Sequence, residues 1–203
     1  YLVEANLYEA DLREANLKGA SFDVNHRDRN ISLDHKFQIQ MNKIYEHSIN
    51  STATSIHISG GEGYLTTQQG GLYLIQNGEL VEVLNLSNDP LFFCCGESGL
   101  LGVIAKEDLI YLSYTMRKGN GPDIDLIVDE YTKELKKKRN IVSINFPTDW
   151  HHGGTITFDN FGRLYLSTGD GEGRDPENSA QDITSLRGKI LRFDIHNEVS
   201  QPE

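Results

Sequence analysis

No stretch of these 203 residues approaches the roughly 18 to 20 consecutive apolar residues that a membrane-crossing helix needs. No basic-then-apolar leader opens the chain either, but Tyr1 already stands inside a repeat, so the natural N-terminus is expected upstream and the missing leader excludes nothing. Cysteine is scarce: Cys94 and Cys95 are adjacent and are the only two, which rules out a framework of long disulfide-closed loops. After Phe92 and Phe93 they read as buried thiols, with a vicinal disulfide as the alternative, and neither fixes a compartment. Positive charge is also short. Lys and Arg number 19 against 30 Asp and Glu, a formal net charge of −11, which argues against phosphate-backbone binding and leaves nucleic acid an unexpected partner. The one basic run, Lys136-Lys137-Lys138-Arg139, lies between strand-like segments and reads as a solvated loop or edge strand.

What is present is ordered text. The first 23 residues place Ala5, Ala10, Ala15 and Ala20 at a five-residue period, with Leu7, Leu12, Leu17 and Phe22 two positions later in each. Five matches neither the 3.6 of a helix nor the 2 of a strand, and on a helix the apolar pairs would drift around the axis. Residues 24–43 are polar and without clear period, a linker or lead-in strand. From residue 44 apolar and polar residues alternate in short runs: "TSIHIS", "GYLTT", "GLYLIQ", "ELVEVLNL", "LLGVIA", "LIYLSYT", "IDLIVDEY", "IVSINF", "GTITF", "RLYLST" and "KILRFDI". Runs of this length, divided by turns such as "QNGEL" and "DNFGRL", predict antiparallel hairpins and an all-β domain over 44–203. One unit, turn then "G-x-LYL" strand, recurs in "TTQQGGLYLIQNG" and "FDNFGRLYLSTGDG", which suggests the blades of a β-propeller.

The motifs "ANLYE", "ADLRE", "ANLKG" and the degenerate "ASFDV" resemble the pentapeptide-repeat family, which implies a β-solenoid stub over 1–23, an interaction or spacer element through which a protein partner could bind. Four later segments, in order, resemble the glucose/sorbosone dehydrogenase family of six-bladed propellers. They are "GESGLLGV" at 96–103, "LIYLSYT" at 109–115, "HHGGTITFDNFGRLYLSTGDGEG" at 151–173 and "AQDITSLRGKILRFDI" at 180–195. The family includes soluble quinoprotein glucose and aldose sugar dehydrogenases and the Hedgehog-interacting proteins. The resemblance covers about the first half of its domain, so a partial propeller of about three of six blades is expected.

The resemblance implies oxidation of an aldose at its anomeric hydroxyl, with pyrroloquinoline quinone and calcium as cofactors, in a periplasmic or secreted setting. Such chemistry needs a base for the hydroxyl proton, and an imidazole titrating near neutral pH suits it. His151, first in the H-x-G-G motif, is the position the family makes that base. By itself, a histidine at a strand mouth after Trp150 reads first as a cap on a hydrophobic cluster, and only the full motif reverses that in favour of a site residue. Gly153 and Gly154 are expected to let the backbone run close to cofactor or substrate, and His152 to be structural or at the rim. Glu97 is a candidate to orient cofactor or substrate, against the reading of a solvated turn. Asp170 of "TGD" is the residue expected to shape the cofactor loop. Asp170, Glu172, Asp175 and Glu177 bring hard oxygen ligands together, yet Gln181 stands where a calcium loop places its bidentate glutamate, so a glycine-rich turn is favoured and the metal ligands are left unassigned. Lys189 and Arg192 are expected outward or at a blade edge.

One departure limits function. The family's Arg-Asn-Pro-Trp segment and later basic residues, which complete the quinone site, do not occur in these residues. The 203-residue chain by itself is therefore expected neither to bind the quinone tightly nor to turn over sugar. A cofactor titration followed by melting temperature checks this; saturable binding with a rise in melting temperature contradicts it. The alternative function is a non-catalytic propeller that binds a protein or glycan.

Overall fold

Among the described residues eleven strands form in the computed structural model, one for each of the alternating runs, and all are antiparallel to their neighbours. The structure describes residues 49, 51–59, 62–119, 123–173, 175 and 177–195. The pentapeptide segment 1–23 and the linker 24–43 lie outside the described residues. The first sheet contains β1 (Ala53–Ser59), β2 (Glu62–Thr67), β3 (Gly71–Gln76) and β4 (Glu79–Asn85) in chain order. The second contains β5 (Leu100–Lys106), β6 (Leu109–Arg117), β7 (Ile124–Thr132) and β8 (Lys137–Phe146), and the third β9 (Gly153–Phe158), β10 (Leu164–Thr168) and β11 (Ile190–Phe193). Each sheet is a meander, and β5 lies against both β1 and β9, so the first strand of each sheet faces the first strand of the next. That is the radial packing of propeller blades.

Turn chemistry sets the registers. Asn77 and Gly78 both take positive φ, 51° and 83°, so Gln76 pairs with Glu79 across a two-residue hairpin whose twist matches the strands. At the tip between β9 and β10, Asp159 accepts hydrogen bonds from the backbone N–H groups of Phe161 and Arg163 and from the Arg163 guanidinium. Burial alone would raise the Asp159 pKa, but those donors hold the carboxyl down at about 2.

Two cores lie on either side of the second sheet. Along β6, Ile110, Leu112 and Tyr114 face the first sheet, where they pack with Leu72, while Tyr111 joins Leu126, Phe146, Ile156, Leu166 and Phe193 against the third. This is the strand period of two with both faces buried. Two acidic residues of β7 also enter the interior. Asp129 accepts from Asn140 and the Tyr114 hydroxyl, and Glu130 from Tyr111 and Arg139.

The basic run, expected to be solvated, neutralises those two carboxylates. Lys137 pairs with Asp129 at 2.7 Å, while Lys138 and Arg139 reach Glu130 at 2.9 and 3.0 Å. Its edge position on β8 is as expected, but buried carboxylates demand paired cations, which the charge count could not reveal. The cysteines correct a second expectation. Cys94 and Cys95 are joined as a vicinal disulfide, with Cys95 exposed, so they are not buried thiols. Among the described residues no helix is long and apolar enough to cross a membrane.

Candidate active site

Three loops meet where the blades abut: residues 93–99 ahead of β5, 147–152 ahead of β9, and 169–189 between β10 and β11. His151 stands at their junction. Its backbone sits in the left-handed region at φ 52°, costly for a residue with a Cβ, and hydrogen bonds on either side hold it there. The His151 N–H donates to Glu97 Oε2 at 2.5 Å, and its ring Nδ1 lies 2.7 Å from Asp170 Oδ1. Asp170 in turn accepts the Glu172 N–H.

A carboxylate only accepts, so Nδ1 carries the proton and donates it to Asp170, and a neutral ring keeps its lone pair on Nε2. The His151 side chain is 41% exposed. It lines an open cleft of about 650 Å3 with Ser167, Thr168, Gly169, Asp170, Ala180, Gly188, Lys189 and Ile190. The hydrogen bond to Asp170 raises the imidazole pKa above its ordinary value, more than burial lowers it. For Asp170 burial pushes upward, but the donors from His151 and Glu172 outweigh it and hold the carboxyl low.

His152 has the opposite environment. It is fully buried, edge-on to Phe146 at 4.9 Å between ring centroids, with Nε2 donating to Thr148 O at 3.2 Å and Nδ1 at 3.4 Å from the Ser98 hydroxyl. Burial pushes its pKa below the ordinary value, so the ring is a neutral anchor for the loop. One histidine of the doublet thus fixes the loop and the other projects from it.

The structure brings His151, Glu97 and Asp170 together, and the last two both contact the first. Glu97 holds the His151 backbone and Asp170 holds its ring. The glycines need a different account. A Cβ on Gly153 would meet Ser167 O at 2.7 Å, and one on Gly154 would meet the Leu101 side chain at 2.8 Å. Both approaches are to neighbouring strands, and Ser167 itself lines the cleft. Gly169 is tighter still: a Cβ there would lie 1.7 Å from His151 O.

Three carboxylates of the acidic loop are engaged within the protein. Asp170 is turned to His151, Asp175 accepts from the Ser179 and Ala180 N–H groups, and Glu177 pairs with Arg187. Among the described residues no group of three His, Cys, Asp or Glu side chains is arranged to hold a metal.

Lys189 corrects the expectation of an outward cation. Its ammonium turns inward and donates to three carbonyls, Ser179 O at 2.7 Å, Ala180 O at 3.1 Å and Arg187 O at 2.9 Å. An ammonium has three donors, so all are committed. Sequence reading missed this clamp, because alternation with Ile190 and Leu191 mimics an ordinary strand exterior. Lys189→Met is expected to destabilise the fold by about 2 kcal/mol, since three carbonyls lose a charged donor; a urea melt checks it.

Stacked meanders with a carboxylate-held imidazole where they abut define a β-propeller with an open cleft at that junction. The family profile described as Glucose / Sorbosone dehydrogenase matches residues 52–203, and the chain belongs to that family. The profile described as Pentapeptide repeats (8 copies) matches residues 1–23. Aldose sugar dehydrogenase YliI of Escherichia coli (strain K12) is 26% identical over 154 residues, 67% of this chain and 41% of that protein. The HIPL1 protein of Arabidopsis thaliana is 46% identical over 66 residues, 32% of this chain and 10% of that protein. A crystal structure described as an oxidoreductase (glucose dehydrogenase) from Thermus thermophilus superposes with a TM-score of 0.59. It is 27% identical and covers 70% of this chain and 43% of its own. The chain thus spans less than half the length of each of these relatives.

Proposed function

We propose that the chain contributes the base-bearing part of a sugar dehydrogenase that oxidises an aldose at its anomeric hydroxyl. The observation that carries this reading is His151, its Nδ1 committed to Asp170 at 2.7 Å while its ring opens into the cleft. Nε2 accepts the proton of the sugar hydroxyl, and the Asp170 carboxylate keeps the ring oriented and offsets the positive charge that develops on it. Glu97 keeps the His151 backbone in its left-handed turn, so that the ring does not swing away as the proton moves.

The two electrons go to an acceptor, for which the family resemblance suggests pyrroloquinoline quinone with calcium. The described cleft does not by itself fit a cofactor bearing several carboxylates. Asp170 is anionic, and the one cation lining the cleft, Lys189, has its donors on backbone carbonyls. No step is derived through that group, and its part of the proposal rests on the resemblance, as does an exported location. The second reading is a non-catalytic propeller that binds a protein or glycan.

Dye-linked aldose oxidation by the full-length gene product, with and without added quinone and calcium, separates the two. Turnover that depends on the quinone supports the dehydrogenase. No turnover under any of these additions supports the binder.

A further inference from the structure

The disulfide between Cys94 and Cys95 has no place in the proton transfer, yet it lies in the loop that holds His151. Both ends of that loop, residues 93–99, are pinned to Thr115. Phe93 donates its N–H to Thr115 O at 3.1 Å and accepts the Thr115 hydroxyl at 2.6 Å. Gly99 accepts the Thr115 N–H at 3.0 Å and donates its own to Thr115 Oγ1 at 2.7 Å. Between these pins, the turn that follows the disulfide carries both contacts to the histidine doublet. Cys95 O accepts the Ser98 N–H at 3.2 Å, Glu97 accepts the His151 N–H at 2.5 Å, and the buried Ser98 hydroxyl lies 3.4 Å from His152 Nδ1.

A disulfide stabilises a fold more the longer the loop it closes, and one between chain neighbours closes almost none. Its effect here is local. It completes a small ring through the peptide bond that joins the two residues, which removes backbone freedom at the base of the turn. The turn's other side-chain tie is the Gln68 amide donating to Gly96 O at 2.5 Å, an exposed hydrogen bond for which water is a ready substitute. Nor is the disulfide shielded: Cys95, Gly96 and Glu97 are all exposed. Exposed disulfides are the labile ones, open to attack by a thiolate from solution.

We propose that Cys94 and Cys95 form a thiol–disulfide exchange site, with a dithiol as the reductant, whose oxidation state sets the hold of Glu97 on His151. A thiolate of the reductant attacks the exposed Cys95 Sγ. The S–S bond breaks with its electron pair on Cys94 Sγ, which takes up a proton. The reductant's second thiolate then attacks the mixed disulfide, releases Cys95 Sγ to be protonated in turn, and leaves the reductant as a disulfide. Two electrons and two protons have passed to the protein. The opened ring returns freedom to residues 94 and 95, the turn loosens, and the His151 N–H loses its acceptor.

The test uses dithiothreitol on the native 203-residue chain. Thiols are trapped with iodoacetamide and located by mass spectrometry, while amide exchange is followed by NMR at His151 and, as a control for global opening, at Leu112 in the core of β6. The proposal expects both cysteines to be alkylated without denaturant and His151 amide exchange to quicken about tenfold while Leu112 stays protected. Reoxidation is expected to restore the slow rate. The Cys94→Ser/Cys95→Ser variant is expected to exchange at His151 as the reduced parent does, with no response to dithiothreitol. Alkylation that appears only when Leu112 also opens would overturn the exchange site. Alkylated cysteines with an unchanged His151 rate would overturn its coupling to the histidine. Neither readout involves turnover, so either result leaves the sugar-oxidising reading to its own test.

Discussion

Gly169→Ala is expected to expel His151 from the cleft and to cost about 4 kcal/mol or more, a drop of roughly 10 °C in melting temperature. The added Cβ would lie 1.7 Å from His151 O and 2.4 Å from its carbonyl carbon. Both obstacles are backbone, so no rotamer change relieves the overlap. Nor is retreat easy: Gly169 donates to His152 O at 3.0 Å and accepts from Gly188 at 2.6 Å, while Glu97 and Asp170 hold His151 from two sides. Gly173 is the control, because a Cβ there meets nothing within 4 Å. Thermal melts of the two alanine variants side by side are the check, with Gly173→Ala expected to melt as the parent does.

His151→Ala is expected to lower aldose oxidation by the full-length gene product by a factor on the order of 10² to 10⁴, the usual contribution of a positioned base. The fold is expected to tolerate it, because the ring is 41% exposed and packs into no core. His152→Ala reverses the pattern. It removes a fully buried ring from beside Phe146 and two hydrogen bonds from the loop, so the melting temperature falls first and activity follows only through lost positioning. Dye-linked rates and melts of both variants check the division of labour within the doublet. Equal effects on rate and stability in the two variants would contradict it.

How much of this was legible depends on whether a residue acts through its own neighbourhood. Every alternating run became a strand, because a period of two and short turn signals such as Asn77-Gly78 are local and sterically enforced. Motif order was enough to bring His151, Glu97 and Asp170 to one place. Sequence did not reveal the atom each would touch. Glu97 reaches a backbone N–H that is 54 positions away in the chain, and Lys189 turns back onto three carbonyls of its own loop, a fold-back that strand alternation does not show. The basic run lies on an exposed edge strand, as read, but its pairing was hidden for the same reason. Its partners, Asp129 and Glu130, are on the adjacent strand and buried, and nothing in a count of charges places a carboxylate inside.

The proposed proton transfer runs from the sugar hydroxyl to the His151 imidazole set by Asp170. It is tested most directly by the pH dependence of kcat/KM for aldose oxidation by the full-length gene product and its Asp170→Asn variant. The base must be neutral to accept a proton, and Asp170 raises its pKa, so the parent rate is expected to climb with pH through an inflexion above the ordinary histidine value of about 6.5. Removing the carboxylate withdraws the main cause of that rise, so the variant's inflexion moves toward acid even as its maximum falls. The same inflexion in both proteins would show that some group other than the Asp170-held imidazole receives the proton.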